Sequence, residues 1–200
     1  FGIPNSQSTA TGLGLRYDSI DDPINPRRGA EFYTLLESIS KKVSALDSIS
    51  AGGSFKQKRL VVDASWSQPL WNFQVFYMGL HWRQVTSNEP VISITDQFRF
   101  GGATTLRGYR EEQFRGSRIA WANIEYRYLL ARHSRAFLFY DLGYFFRVEE
   151  ANKKIEQIKQ SFGFGVRMET RLGVIGLDYG MGEGDTLLRG KIHVSLINSF

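Results

Sequence analysis

Phe98-Arg99-Phe100-Gly101-Gly102-Ala103-Thr104-Thr105-Leu106-Arg107-Gly108-Tyr109 is the stretch on which the reading of this chain turns. It is rich in glycine, follows neither a helical nor a strand period, and embeds one arginine in an apolar-Arg-Gly-aromatic tetrapeptide. On both sides the sequence alternates apolar and polar residues for a dozen or so positions at a time, the signature of strands with two unlike faces. The stretch therefore reads as part of a long loop, about residues 87–116, that folds back into a transmembrane β-barrel. Arg107 is expected to be held by carboxylates on the barrel's inner wall.

Working outward, the fifth predicted strand (about 117–130) has the cleanest alternation. Ala120, Ala122, Ile124, Tyr126, Tyr128 and Leu130 share one face, and Asn123, Glu125 and Arg127 the other. The sixth (about 136–148) sets Leu138, Tyr140, Leu142, Tyr144 and Phe146 against Asp141, Gly143 and Arg147. The seventh (about 157–170) sets Phe162, Phe164, Val166 and Met168 against Gly163, Gly165, Arg167 and Glu169. Strands eight (from about Ile175) and nine (about 188–200) continue the pattern. Upstream, strands are expected at about 8–20, 30–42, 55–68 and 73–86, the second with ambiguous facing because Phe32/Leu36 compete with Tyr33/Leu35/Ile39.

No segment has a 3.6-residue period, so the expected class is all-β and antiparallel. Strands of roughly 11–14 residues exceed the globular norm of about 5–6 and suit a tilted membrane crossing. The connections near 21–29, 67–72, 131–135 and 171–173 are compact, and those near 43–53, 87–116, 149–156 and 182–187 are longer or more polar. Outer-membrane barrels have short periplasmic turns and long external loops.

Composition permits this. Charged residues are 22%, aromatics 14%, and there are 20 glycines. No window approaches 18 uninterrupted apolar residues, so no membrane-crossing helix is expected, a condition a barrel also meets. A soluble β-sandwich tolerates the same numbers. The net charge of +5 has no clustered basic stripe, so nucleic acid is not an expected partner. Cysteine is absent. That removes disulfides, thiolate metal sites and a cysteine nucleophile, and suits a chain that crosses an oxidising periplasm unfolded.

Enzyme motifs are not found. His81, His133 and His193 lack metal spacing and read as solvated or lumenal. Gly163-Phe164-Gly165 and Gly180-Met181-Gly182 sit in strands, where glycine marks a bend or a close approach rather than a phosphate loop. No Gly-x-Ser-x-Gly elbow occurs. No catalytic residue, metal or cofactor is expected.

Arg107 is the residue singled out. A loop arginine is ordinarily just solvated, but this one is flanked by Leu106, Gly108 and Tyr109, a segment built to pack. Glu125 and Asp141 face the lumen on consecutive strands just after the loop. A guanidinium bridges two carboxylates through several charge-assisted hydrogen bonds.

Gly101-Gly102 followed by Leu106-Arg107-Gly108-Tyr109 resembles the [Val/Ile]-Arg-Gly-[Phe/Tyr] loop motif of the bacterial surface antigen superfamily, the BamA/TamA-like outer-membrane assembly and translocation barrels. Tyr140-Asp141-Leu142-Gly143 is similar to the family's aromatic-Asp-x-Gly strand motif, whose Asp binds the loop arginine. Ile124-Glu125-Tyr126-Arg127 matches the preceding strand. Tyr17-Asp18 with Pro26-Arg27-Arg28-Gly29 resembles the Tyr-Asp…Pro-x-x-Gly strand-turn. The motifs run in order over about residues 13–200, with Leu106 a conservative departure.

The resemblance implies an integral barrel of the bacterial outer membrane, in contact with its lipid, that inserts or translocates nascent outer-membrane or secreted proteins. The family barrel has sixteen strands, and this chain is similar to its C-terminal half. Parity agrees: about nine strands are odd, whereas single-chain bacterial barrels are normally even. Strands are thus expected before Phe1; if the first strand is not wall, eight remain and can close.

Residues 1–200 are read as one barrel domain without the periplasmic POTRA domains. Upstream, either such domains or an enzyme anchored by the barrel, as in patatin-like phospholipases, fits. A small self-contained barrel or pore, closing by self-association, is the third reading. Ile192, Val194, Leu196 and the terminal Phe200 look like the C-terminal signal of outer-membrane barrels, read by strand addition at an exposed edge.

Overall fold

The computed structural model describes residues 6–43, 53–89, 91–149 and 153–197. Eleven strands follow one another: β1 (Ser6–Asp18), β2 (Gly29–Val43), β3 (Gly53–Trp71), β4 (Gln74–Ser87), β5 (Phe98–Phe100), β6 (Phe114–Gly116), β7 (Arg118–Leu129), β8 (Arg135–Val148), β9 (Lys154–Thr170), β10 (Gly173–Gly182) and β11 (Lys191–Ile197). Nine of them make one antiparallel sheet in chain order, β1-β2-β3-β4-β7-β8-β9-β10-β11. β5 and β6 pair only with each other and leave the wall, so β4 hydrogen-bonds directly to β7. Among the described residues β1 and β11 are the two edges of an open sheet.

The period-two pattern of the sequence puts apolar residues on one face of this sheet, and that face points outward. Leu138 is 61% exposed while Asp141, on the same strand, is 0% exposed. A water-soluble sheet would have the opposite arrangement. The outer residues line up across strands in register: Phe76, Tyr126, Leu138, Phe164, Tyr179 and Ile192 form one continuous row from β4 to β11. A band of exposed side chains of this kind is the lipid-facing surface of a transmembrane barrel.

On the inner face of β7 and β8, Glu125 and Asp141 are buried because the loop around Arg107 lies over them. Phe100, Leu106 and Tyr109 from that loop pack with Ile119, Trp121 and Phe145 from β7 and β8. Each such side chain removed from water is worth about 1.5–3 kcal/mol.

Several expectations are corrected. The β5–β6 hairpin lies inside the stretch read as structureless loop; three-residue strands are too short to show an alternation. β3 runs to Trp71, through the Pro69-Leu70-Trp71 segment read as a turn, with a register irregularity between Pro69 and Trp71. A bulge is one of the few places in a sheet that accepts proline, and the turn proper is Asn72-Phe73. The facing of β2 is settled by its neighbours. Leu36 lies opposite Leu13 and Phe32 opposite Tyr17, on the outer face, so Tyr33, Leu35 and Ile39 face inward. β1 pairs with β2 over its whole length and is a wall strand.

Candidate functional site

The inner face of β7 and β8 presents the two carboxylates singled out above, and alternation is what aims them. Glu125 is two residues from Asn123 and Arg127, and Asp141 two from Phe139 and Gly143, so all six point into the concave side. The loop delivers Arg107 between them. Its Nε donates to Asp141 Oδ2 at 2.8 Å and its Nη2 to Asp141 Oδ1 at 2.7 Å, the two-pronged geometry that a planar guanidinium suits. Its Nη1 donates to Glu125 Oε1 at 2.6 Å. The backbone N–H of Arg107 donates to Asp141 Oδ2 at 3.1 Å, fixing the main chain as well as the side chain. Arg107, Glu125 and Asp141 are all buried.

Residues that the sequence reading did not single out complete this arrangement. Asn123 donates from Nδ2 to Asp141 Oδ1 at 2.9 Å, joining the two wall strands, and to the Thr105 carbonyl at 2.8 Å, tying the wall to the loop. Arg127 Nε donates to Glu125 Oε2 at 2.7 Å, so Glu125 bridges two arginines. The Phe139 ring lies 3.8 Å from the Arg107 guanidinium carbon, a cation–π contact on the side not used by carboxylates. A Cβ on Gly143 would stand 2.7 Å from Phe100 Cε2 and 3.0 Å from Leu106 Cδ2, so the bare glycine is the seat for the loop's apolar side chains.

The loop also reaches the next three strands. Gly108, at φ +84°, lies against β10: a Cβ on Gly180 would come within 2.5 Å of the Gly108 nitrogen. The Gly108 N–H donates to His193 Nε2 on β11 at 3.2 Å. Tyr109 Oη donates to the Gln160 carbonyl on β9 at 2.9 Å and accepts the Glu183 N–H at 2.9 Å. Leu106 is fully buried. Gly101 and Gly102 both have positive φ, 119° and 96°, where a side chain would be strained. At Gly102 a Cβ would also overlap the Glu111 carboxylate, which accepts the Ala103 N–H at 2.7 Å.

Loop and wall meet at a second place nearer the long-loop end. Lys41 of β2 donates to Asp96 Oδ2 at 2.5 Å and lies 3.6 Å from Glu89, and Gln57 of β3 donates to the same Asp96 oxygen at 2.9 Å. Burial alone would raise the Asp96 carboxyl, but the bonds from Lys41 and Gln57 outweigh it and hold the group below its ordinary range. At the opposite end the β1–β2 turn crosses to the β7–β8 turn. His133 Nδ1 lies 2.8 Å from Glu169 and Nε2 lies 3.2 Å from Asp22. The hydrogen bond to Glu169 leads in raising the His133 pKa, with the charges of Glu169 and Asp22 adding. Burial would raise Asp22; the Ile24 and Asn25 amides and His133 more than offset it and hold that carboxyl low.

The remaining candidates fall on the wall or beyond the described residues. His81 stacks on Trp121 at 4.6 Å and bonds Asp63 at 2.5 Å, on the inner face. Ile192, Val194 and Leu196 lie on the outer face of β11, opposite Tyr179, Leu177 and Ile175. Phe200 lies outside the described residues. No group of metal-ligating side chains occurs among the described residues, and no helix there is long and apolar enough to cross a membrane.

The family described as the Omp85 superfamily domain matches residues 4–196. No curated protein matches the chain. Omp85 proteins are outer-membrane β-barrels of Gram-negative bacteria that insert or translocate other proteins.

Proposed function

Because the chain belongs to the Omp85 superfamily, we propose that it is a BamA-like barrel wall that promotes insertion of nascent outer-membrane proteins by strand pairing, without bond-making chemistry. The Arg107 grip on Asp141 and Glu125 carries this reading. It fastens the inner loop to the middle of the wall, apart from β11, which in this reading is one lip of the seam where an incoming strand finds donors and acceptors. In this reading Leu106, Arg107, Gly108 and Tyr109 are a lock, Glu125 and Asp141 its acceptors, and Ile192, Val194, Leu196 and Phe200 a C-terminal recognition signal. The chain acts on unfolded barrel polypeptides and sits in the outer membrane.

The test is reconstitution of the protein, in the form in which it occurs, into lipid vesicles with an unfolded barrel client. Client insertion is followed as protease-protected, heat-modifiable product. Arg107→Ala is expected to slow insertion and to open residues 87–116 to protease. Unchanged insertion together with unchanged protection would overturn the lock.

A further inference from the structure

Three arginines, Arg127 on β7, Arg135 on β8 and Arg167 on β9, share the concave face at the compact-turn end. Arg135 and Arg167 are direct cross-strand partners. Arg127 is diagonal to Arg135, whose own partner on β7 is Leu129. The guanidinium carbons of Arg107, Arg135 and Arg167 lie 5.6, 5.7 and 4.9 Å from the centre of one ring, Phe137.

Their charges do not balance. Arg107 is paired with Asp141 and Glu125, Arg127 with Glu125, and Arg167 with Asp178. Among the described residues Arg135 has no carboxylate within salt-bridge distance. Its hydrogen bonds both leave from Nη1, to the Ile24 carbonyl at 3.1 Å and to Asn25 Oδ1 at 2.9 Å, and both acceptors are neutral. Arg135 is 8% exposed and Arg127 4% exposed. The Arg135 Nε and the Arg127 Nη1 are buried without any acceptor. Four guanidiniums therefore share three carboxylates, and arginine does not shed its proton to restore neutrality. A water molecule satisfies a donor but leaves the charge. The fully buried Asn25 stands where a carboxylate would have closed the balance.

We propose that this cluster is an anion site, and that Arg135, covered by the Asn25 turn, and its diagonal neighbour Arg127 take one small tetrahedral oxyanion of the phosphate type. The planar fork of a guanidinium matches two oxygens of such an ion. An idle N–H on each of the two forks, and the want of a carboxylate at Arg135, supply both geometry and need. The site stands whether or not the barrel inserts polypeptides.

The test uses the whole protein in detergent micelles, with thermal unfolding followed as phosphate replaces chloride at constant ionic strength. The wild type is expected to show a saturable rise in Tm, reproduced by sulfate. Phosphate and sulfate also stabilise proteins non-specifically, without saturation and irrespective of one side chain, so the variants decide. Asn25→Asp provides the missing carboxylate: its Tm should begin higher and no longer respond. Arg135→Gln should abolish the response, and if that variant fails to fold, the wild type against Asn25→Asp suffices. The 31P resonance of phosphate should broaden with the wild type and not with Asn25→Asp. An unsaturable rise of equal slope in wild type and Asn25→Asp, or none in either, overturns the site.

Discussion

β1 and β8 are both long wall strands with alternating faces, yet they differ in what covers them. On β8 every inward residue from Arg135 to Phe145 is buried, and the outward ones are mostly exposed. On β1 nearly all described side chains are exposed, whichever way they point. The difference lies in the inner loop, which lies over β7 to β11 and bonds β2 and β3 through Asp96, but reaches β1 nowhere among the described residues. Alternation alone makes a wall. It takes a second layer, delivered from within, to turn the inner face into a core where charges must be matched.

The largest expected effect falls on the covered side. Arg107→Ala leaves two buried carboxylates short of a partner, which costs about 3–5 kcal/mol and should appear as a lowered unfolding midpoint in detergent. Adding Asp141→Ala should cost less than the sum of the two single changes, since both remove the same contacts. Equal, additive losses would mean that the groups act independently.

A pair of alanine substitutions sharpens the contrast. Gly143→Ala on β8 pushes a methyl to within 2.7 Å of Phe100 and should cost about 1–3 kcal/mol through overpacking. It should also expose the loop to protease. Gly14→Ala on β1 meets only ordinary contacts, the nearest being the Thr34 carbonyl at 3.4 Å, and should change stability by less than about 0.5 kcal/mol. Similar losses at the two positions would remove the distinction between covered and uncovered wall.

A smaller effect is expected from pH at the compact-turn end. His133 titrates higher when folded, so its bridge to Glu169 and Asp22 is complete below the unfolded histidine value of about 6.5 and is lost as pH rises through the raised folded value. Asp22 titrates lower when folded. Its contribution is present above the unfolded carboxyl value of about 3.9 and is lost as pH falls through the depressed one. The strap between the two turns should thus be tightest in mildly acidic solution. A midpoint-against-pH curve should lose its alkaline step in His133→Gln.

Much of the wall was readable, because strands such as β7 and β8 repeat a period of two over many residues and carry aromatics on one face only. The partners of Arg107 were readable for the same reason: parity puts Glu125 and Asp141 on the polar face of consecutive strands. Three kinds of feature were not readable. The β5–β6 hairpin is too short for periodicity. Asn123 and Phe139 act through the loop's position in space, which no spacing along the chain encodes. Gly180 and Gly182 look like any wall glycines until the Gly108 backbone is laid against them. The inward side of β2 also carries Tyr33, Leu35 and Ile39, so hydrophobicity could not assign its faces; pairing with β1 does.

The bond from Gly108 to His193 is a neutral one, worth on the order of 1 kcal/mol, and Glu111 approaches the same ring only at a loose 3.9 Å, whereas the guanidinium a residue before Gly108 is clamped by several charge-assisted bonds. The finger is therefore riveted at its root and only pinned at its tip. If the final strand swings outward, the pin slips first, and the finger stays behind with the middle of the wall instead of being dragged out with the moving lip.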